Sequence, residues 1–222
     1  MITTPISISE LHTRAQQLAG LTLSALAEQL GFPLPTVTPR IQAKGWMGHL
    51  IEYALGANAK SKPEPDFPQL GVELKTIPVN VNGVPLESTY LCKVPLPPPV
   101  GVRWEDSVVY QKLQQILWIP IVTVSRAQPL ASRCIGQPYL WQPDADTLDI
   151  IRRDWEELMD IICMGELETL TAHHGVYLQM RPKAANAKTL CWTVNATGEK
   201  IQTLPRGFYL RALLTQKILM RK

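Results

Sequence analysis

Apolar residues recur at spacings of three and four along the first quarter of the chain. Such spacings place the apolar side chains on one face of a helix, so the pattern predicts three amphipathic helices. A serine or threonine just before an apolar run can accept a hydrogen bond from the first turn, which predicts where a helix begins. The first predicted helix begins after the capping residue Ser9. The second runs from the capping residue Thr22 to Gly31, and the third extends from about Trp46 to Leu55.

Strict alternation replaces the helical pattern from Val72 to Ile77, which predicts a strand with one face toward the core. Asn82-Gly83 is typical of tight hairpin turns, so Leu86 to Val94 is the expected returning strand of a β-meander. The apolar run from Leu117 to Val124 is typical of a buried strand. Pro120 lacks a backbone N–H, so we expect a bulge, an edge position or an early end to the pairing there.

The second half of the chain adds further helices and strands. The pattern predicts a helix from about Glu105 to Gln115, a long acidic helix from about Asp146 to Leu170, a strand near Val176 to Met180 and a final helix from Leu210 onward. We expect the acidic side chains of the long helix on a solvated face, and the tryptophans mainly in the core. Helices that flank a mixed sheet indicate an α/β or α+β fold class.

The composition is that of an ordinary globular protein, with 45% hydrophobic and 18% charged residues among 222. A chain of this length can form two small lobes, and we expect a single domain with two lobes. No apolar run reaches the ~20 residues of a transmembrane helix, and the first residues lack the pattern of a signal peptide. The four cysteines are widely spaced without a CxxC pair, which favours a reduced, cytoplasmic setting.

Basic residues are concentrated at the C-terminal end. From Val176 to Lys222 there are nine basic residues and one acidic residue, so this segment carries +8 and the remainder carries −5. A basic region of this kind favours binding to a polyanion such as a nucleic acid. A solvated basic face without a partner is the alternative that charge alone leaves open.

Two carboxylates and a lysine lie close together around the predicted strand from Val72 to Ile77. Residues two apart in a strand emerge on the same face, so Glu73 and Lys75 are neighbours, and Asp66 can fold back beside Glu73. Two carboxylates with a backbone carbonyl, that of Leu74, form the oxygen-rich site that Mg²⁺ prefers. Such a site can hydrolyse phosphodiesters, with Lys75 adding positive charge beside the attacked phosphate. An ordinary exposed strand face is the alternative that the spacing leaves open.

Other residues could complete such a site. Glu52 on the third predicted helix could add a third carboxylate, and Lys60, Lys62 and Lys112 could add positive charge near a phosphate; each is also consistent with a surface charge. A helix-turn-helix interpretation of residues 23–41 is disfavoured by Pro39, because a proline inside the recognition helix costs ~3 kcal/mol. A non-catalytic DNA-binding or regulatory module is the alternative function.

Longer blocks of the sequence carry more specific information. They are Lys44–Gly48, Ser61–Phe67, Leu70–Pro78, Leu117–Pro120, Asp154–Met159, Arg181–Lys188 and Leu204–Leu210. In composition and order these blocks closely resemble the MutH family of DNA mismatch repair endonucleases. The resemblance is specific because the blocks are long and together span most of the chain.

This resemblance implies a restriction-endonuclease-like fold, with two arms forming a DNA-binding cleft and a metal site at its base. It implies Mg²⁺-dependent nicking of the unmethylated strand at hemimethylated GATC sites, 5′ to the G, with one or two ions per active site. It also implies the partners MutL and, indirectly, MutS. A monomer is expected because nicking one strand needs one active site. The blocks place a catalytic core at about residues 45–125 and a DNA-recognition region at about residues 170–222.

The resemblance also assigns active-site residues by position. Asp66 and Glu73 match metal-binding acids, and Lys75 matches the catalytic lysine. Glu52 and Lys112 match further residues of the active site. The last residues, from Leu213 to Lys222, depart from the family pattern, which leaves the role of the final helix open.

DNA contacts follow from the resemblance in the same way. It implies Arg181, Lys183 and Tyr209 as recognition residues, and Lys44, Gly45 and Tyr90 as further groove contacts. A bidentate arginine on guanine is the commonest specific base contact, so we expect Arg181 to read a G of GATC. Lys183 and Tyr209 are the candidates for sensing whether the adenine carries a methyl group.

Overall fold

Six α-helices, three short 3-10 helices and nine strands make up the described part of the chain. The computed structural model describes residues 2–34, 40–59, 62–125, 127–171, 173–184, 186 and 188–220, without the side chains of residues 40–44. Residues 35–39, which the helix-turn-helix interpretation requires, and Lys60 lie outside this description. No helix in the described ranges is both long and apolar enough to span a bilayer.

The helices are α1 Ile8–Leu18, α2 Leu23–Leu30, α3 Arg40–Leu55, α4 Val108–Leu113, α5 Ala145–Cys163 and α6 Ala212–Met220. The strands are β1 Glu73–Val79, β2 Thr89–Lys93, β3 Ile116–Val122, β4 Cys134–Ile135, β5 Tyr139–Trp141, β6 Leu178–Pro182, β7 Cys191–Val194, β8 Lys200–Thr203 and β9 Arg206–Leu210. The expected mixed α/β class is therefore confirmed.

Two compact units divide the chain, and each is assembled from segments that are distant in sequence. The first unit comprises Met1–Glu87, Lys112–Gln142 and Gln216–Lys222, and the second comprises Ser88–Gln111 and Pro143–Thr215. The first unit therefore contains α1 to α3 and the sheet of β1, β3, β4 and β5. The second contains α5 and the strands β2 and β6 to β9.

A parallel pair of strands forms the centre of the first unit. β1 and β3 pair from Glu73 opposite Ile116 to Val79 opposite Val122, and β3 also pairs antiparallel with β4 and β5. Leu74 of β1 belongs to the core that α1 to α3 form with this sheet. Other fully buried members of this core are Leu11, Leu23, Leu50, Ile51, Leu117 and Ile119. Each large apolar side chain contributes about 1.5–3 kcal/mol when it leaves water.

Pro120 lies inside β3, and the pairing on one side of the strand accommodates it. β5 pairs with residues 116–118 and β4 pairs with residues 121 and 122, so neither pairs with Pro120. The Pro120 carbonyl instead accepts a hydrogen bond from Gly136 N at 2.7 Å. On the other side, the ladder to β1 continues past Pro120 opposite Ile77. The strand pairing is therefore interrupted only on the side of β4 and β5, toward which the missing N–H of Pro120 would have pointed.

An antiparallel sheet in the order β2, β9, β6 forms the second unit, beside the separate β7–β8 hairpin. Asp154 of α5 fastens the start of β6: its carboxylate accepts hydrogen bonds from the backbone N–H groups of Val176, Tyr177 and Leu178 at 2.6–2.7 Å. The prediction of a solvated acidic face is wrong for Asp154, which is 4% exposed. Three backbone donors replace the water that the buried carboxylate has lost.

Local hydrogen bonds decide where the helices begin and end. The prediction for α2 is confirmed, because Thr22 accepts from Ala25 N and Gly31 follows with φ 59°. α1 is capped by Ser7 and not by Ser9, because the Ser7 hydroxyl accepts from Glu10 N. α4 is shorter than predicted at both ends, and α5 ends at Cys163 instead of near Leu170. Two residues past that end, Gly165 has φ 77°, and a Cβ there would lie 2.3 Å from the Asn195 backbone.

The predicted β-meander is wrong, although its turn is present. Gly83 N donates to Asn80 O and Leu86 N donates to Pro78 O, both at 3.0 Å, so the chain reverses as expected. β2, however, pairs with β9 in the second unit, whereas β1 pairs with β3. A turn dipeptide determines the reversal of its own few residues and not the partner of the next strand.

Four of the six tryptophans follow the core prediction, whereas Trp46 is only partly buried and Trp192 is exposed. The four at positions 104, 118, 141 and 155 are buried. Trp192 of β7 is 57% exposed, and β7 belongs to a two-stranded hairpin. Such a hairpin has too little apolar surface of its own to cover a large side chain on its outer face.

Candidate active site

A tight reversal places Asp66 beside the start of β1. Phe67 and Val72 exchange backbone hydrogen bonds at 2.9 and 3.3 Å, and Gly71 takes the positive φ of 65° that the turn requires. In this antiparallel register the next residues outward, Asp66 and Glu73, face each other. The Asp66 carboxylate accepts a hydrogen bond from Leu74 N at 2.9 Å. The turn therefore brings the two carboxylates to one end of β1.

Glu73 is the buried centre of this arrangement, at 1% exposure. Its Oε1 accepts a hydrogen bond from the Lys75 ammonium, and its Oε2 accepts one from Lys112 Nζ at 2.7 Å. Lys75 emerges on the same face of β1, and Lys112 comes from α4, 39 residues further along the chain. Burial of a carboxylate costs its hydration free energy, and opposite charges and hydrogen bonds must compensate this loss. We call Asp66, Glu73, Lys75 and Lys112 the carboxylate–lysine cluster.

The surroundings of Asp66 raise its pKa. Burial, followed by the negative charge of Glu73, raises the pKa of the Asp66 carboxyl to about 6. Lys75, the Leu74 N–H and Lys112 act in the opposite direction. A carboxylate whose proton affinity is raised by a neighbouring negative charge also attracts other cations, which is the electrostatic requirement of a metal site.

The donor set of the cluster fits a divalent cation that keeps several waters. In an extended residue the N–H and C=O project from the same edge, and the Leu74 N–H faces the Asp66 carboxylate. The Leu74 carbonyl therefore lies on the same edge as the Asp66 carboxylate, and the neighbouring Glu73 carboxylate supplies further oxygen atoms of the kind that Mg²⁺ prefers. Among the residues that the structure describes, no three His, Cys, Asp or Glu side chains form a metal-binding group. The cluster accordingly offers two carboxylates, and not three.

Glu52 is not brought into a three-carboxylate group with Asp66 and Glu73. It lies on α3, and its Oε1 is 3.7 Å from the position that a Cβ at Gly48 would occupy. Gly45 also lies on α3, with open space around the position of an added Cβ. Lys44 belongs to the same helix, but its side chain lies outside the described residues. Lys62 pairs with the neighbouring Glu64 at 3.5 Å.

The recognition candidates of the C-terminal region meet on one face of the second unit's sheet. Tyr90 of β2 lies directly opposite Tyr209 of β9. Their rings contact edge to face, with the ring centroids 5.4 Å apart. The Arg181 guanidinium lies 5.9 Å from the Tyr209 ring centre, and Lys183 Nζ lies 4.4 Å from that of Tyr90. These cation–π contacts combine positive charge with exposed aromatic rings on one surface. We call these four residues the recognition face.

Gly207 lies next to the recognition face, at a position for which the sequence predicted no role. A Cβ on it would lie 2.9 Å from the Tyr90 ring and 3.2 Å from the Tyr209 ring, so both rings rest above its bare backbone. Gln179 is a second such residue: it is 5% exposed and lies opposite Tyr209 on β6. The available signal was strand alternation, because Gly207 is two residues before Tyr209 and Gln179 is two residues before Arg181.

Comparison with known proteins identifies the group to which this arrangement belongs. The model of the family described as DNA mismatch repair enzyme MutH matches residues 55–154. A protein named DNA mismatch repair protein MutH from Klebsiella pneumoniae subsp. pneumoniae is 53% identical over 217 residues, which cover 98% of this chain and 93% of the relative. The chain belongs to the MutH family.

Other MutH relatives agree closely in length and sequence. The protein of Serratia proteamaculans is 51% identical and that of Yersinia pestis 48% identical, each over 98% of this chain and 94% of the relative. The MutH range from 55 to 154 contains the whole carboxylate–lysine cluster. The mixed α/β structure is consistent with a MutH-family nuclease fold.

Proposed function

We propose that this MutH-family protein is a Mg²⁺-dependent endonuclease that nicks the unmethylated strand of hemimethylated GATC sites, 5′ to the G. The observation that carries the proposal is the convergence of Asp66, Lys75 and Lys112 on the buried Glu73. A purely structural ion pair does not require a second carboxylate beside it, with its pKa raised to about 6. Family membership makes double-stranded DNA the expected substrate.

Each residue of the cluster has a role that its geometry allows. Asp66, Glu73 and the Leu74 carbonyl would hold one or two magnesium ions, which when bound neutralise phosphate charge and lower the pKa of an attacking water. Lys75 is only partly exposed and holds its ammonium at the Glu73 carboxylate, from where it can orient a water and a phosphate oxygen. Lys112, paired with the other oxygen, fixes the Glu73 side chain and adds a second positive charge. Glu52 on α3 would act from outside this cluster.

DNA recognition is assigned to the second unit and to the start of α3. Arg181 and Lys183 are exposed, and a guanidinium can bind both major-groove acceptors of guanine. Lys183 and Tyr209 would sense the methyl state of adenine, with Tyr90, Lys44 and Gly45 as groove contacts. The +8 charge of the segment from Val176 to Lys222 supports phosphate contact. In this scheme residues from about 45 to 125 supply the chemistry, and residues from about 170 to 222 supply most of the recognition contacts.

The cellular role that we propose follows from the family of the chain. We expect a cytoplasmic monomer that acts in methyl-directed mismatch repair and is stimulated by MutL, which MutS recruits. The curated relatives carry mismatch repair in their names, which supports this setting.

One assay tests the proposal. Matched duplexes with an unmethylated, hemimethylated or fully methylated GATC site are incubated with the protein, with Mg²⁺ added or removed by a chelator. The expected result is Mg²⁺-dependent nicking 5′ to the G of unmethylated strands, with much slower nicking of the fully methylated duplex. Tight, GATC-specific binding without nicking at any Mg²⁺ concentration would identify the alternative, a non-catalytic DNA-binding module.

A further inference from the structure

A hydrogen bond crosses the recognition face beside Tyr209. Gln179 Nε2 donates to Ser88 Oγ at 2.8 Å, although Gln179 lies on β6 and Ser88 comes just before β2. β9 separates β2 from β6, so this bridge spans two strand spacings, about 10 Å. Gln179 is directly opposite Tyr209, which places its side chain on the same face as the tyrosine ring. The bridge therefore passes over the β9 backbone on the recognition face.

The register shows on which side of Tyr209 the bridge passes. Thr89 pairs with Leu210, so Ser88, one residue earlier, is level with Arg211. The bridge consequently runs from the level of Tyr209 toward that of Arg211, on the side of the ring away from Gly207. The Tyr209 ring leans the other way: its Cε2 is 3.2 Å from the position of a Cβ on Gly207. An open backbone therefore lies on one side of the ring, and a partly buried bridge lies on the other.

The direction of the ring determines what Tyr209 contacts. Arg181 lies opposite Gly207 in the ladder, and leaning toward Gly207 brings the ring within 5.9 Å of the Arg181 guanidinium and into contact with Tyr90. Leaning toward Arg211 would take it away from both. A polar bridge is better suited to this task than an apolar side chain, because its geometry is directional and both of its partners are held on separate strands.

We propose that the Gln179–Ser88 hydrogen bond aims the Tyr209 ring at the Arg181 side of the face and thereby sets how sharply the protein distinguishes methylated from unmethylated sites. Gln179 and Ser88 are positioning residues, which act through Tyr209 and do not themselves read the base. The discrimination part of this inference rests on the proposed function, whereas the aiming of the ring does not.

The test uses variants that remove the bridge from either end and one that keeps it. Ser88→Ala removes the acceptor, Gln179→Leu removes the donor at similar volume, and Ser88→Thr retains the hydroxyl as the matched control. For each full-length protein, the rate of nicking an unmethylated GATC duplex is divided by the rate for the fully methylated duplex. The ring resonances of Tyr209 are followed by NMR in protein with ¹³C-labelled tyrosine, assigned with Tyr209→Phe.

The expected result is a fall in this ratio of about fivefold or more for Ser88→Ala and Gln179→Leu, the factor that one net hydrogen bond contributes. Ser88→Thr keeps the wild-type ratio. The double variant Ser88→Ala, Gln179→Leu has the same ratio as either single variant, because both substitutions remove the same hydrogen bond. Tyr209 resonances shift in the two disruptive variants and stay in place in Ser88→Thr.

Two results would overturn the inference. If wild-type nicking discriminates methylation and the Ser88→Ala and Gln179→Leu proteins fold but keep the full ratio, the bridge does not control discrimination. If the Tyr209 resonances are unmoved in both variants, it does not aim the ring. Absence of nicking by the wild-type protein would instead contradict the proposed function, and the resonances would still decide whether the bridge aims Tyr209.

Discussion

Lys112 Nζ lies 2.7 Å from Glu73 Oε2, and this hydrogen bond joins α4 to the first residue of β1. Lys112 is 8% exposed and Glu73 is 1% exposed, so the pair has largely left water. Lys75 occupies the other oxygen of Glu73. The stability of this part of the fold and the charge of the candidate active site therefore depend on the same contacts.

Replacing Lys112 by methionine is expected to lower the free energy of unfolding by about 1–3 kcal/mol, because the buried Glu73 carboxylate loses one of its two charged partners. The measurement is urea denaturation, with Lys93→Met, an exposed lysine, as the control. Adding Glu73→Gln to Lys112→Met should restore part of the loss, since the uncompensated charge is gone. Equal stability of Lys112→Met and the wild-type protein would contradict the buried pairing.

The raised pKa of Asp66 predicts how stability depends on pH. The pKa is about 6 in the folded protein against 3.8 for an ordinary aspartate, so folding favours the protonated form. The corresponding stability is present in full below pH ~4 and is lost as the pH rises through 6. Measured without divalent metal, the unfolding free energy of Asp66→Asn minus that of the wild type should increase between pH 4 and 7. A difference that is constant over this range would show that Asp66 titrates normally.

The carboxylate–lysine cluster is expected to be essential for nicking and dispensable for binding. Asp66→Asn, Glu73→Gln and Lys75→Ala should each reduce single-turnover nicking at least ~100-fold, because each removes a group that the proposed chemistry uses. Affinity for a GATC duplex, measured by fluorescence anisotropy, should change little. Glu64→Gln, which alters a neighbouring surface carboxylate paired with Lys62, is the control. Normal nicking by Glu73→Gln would exclude this cluster as the catalytic site.

Gly207→Ala tests whether the two tyrosine rings need a bare backbone beneath them. The added Cβ would lie 2.9 Å from the Tyr90 ring, so one or both rings must move, at a cost of about 1–3 kcal/mol in stability. Discrimination between GATC and a duplex with one altered base pair should fall in competition binding. Gly48→Ala, where the nearest atom to the new Cβ is Glu52 Oε1 at 3.7 Å, provides the comparison. Unchanged discrimination would separate the ring positions from sequence readout.

Arg181→Ala is expected to weaken specific binding by ~1–3 kcal/mol while leaving binding to unrelated duplex DNA nearly unchanged, because a bidentate base contact carries specificity. Arg103→Ala, an exposed arginine paired with Asp106 in the same unit, is the control. Equilibrium competition at a fixed salt concentration measures both affinities. If Arg181→Ala retains full preference for GATC, another residue reads the guanine.

The sequence predicted well wherever neighbouring residues decide the structure. The cap at Thr22, the end of α2 at Gly31 and the strand around Glu73 all depend on hydrogen bonds or alternation within a few residues. Alternation also places Glu73 and Lys75 side by side while Leu74 enters the core. Blocks of residues that resemble MutH indicated the family, and the relatives confirm it. The choice of Ser9 as a cap was wrong because two serines, at 7 and 9, suit the same role.

Contacts between distant segments could not be predicted in this way. The sequence by itself determined the approximate positions of the six α-helices and of β1, β2, β3 and β6, the spacing of Asp66, Glu73 and Lys75, and membership of the family. Only the tertiary structure decided that β2 leaves β1 for β9, that Asp154 is buried under three backbone donors, and that Lys112 reaches Glu73. The physical reason is range: caps and alternation depend on neighbours along the chain. Strand partners and buried charge pairs depend on which segments exclude water together once the whole chain has folded.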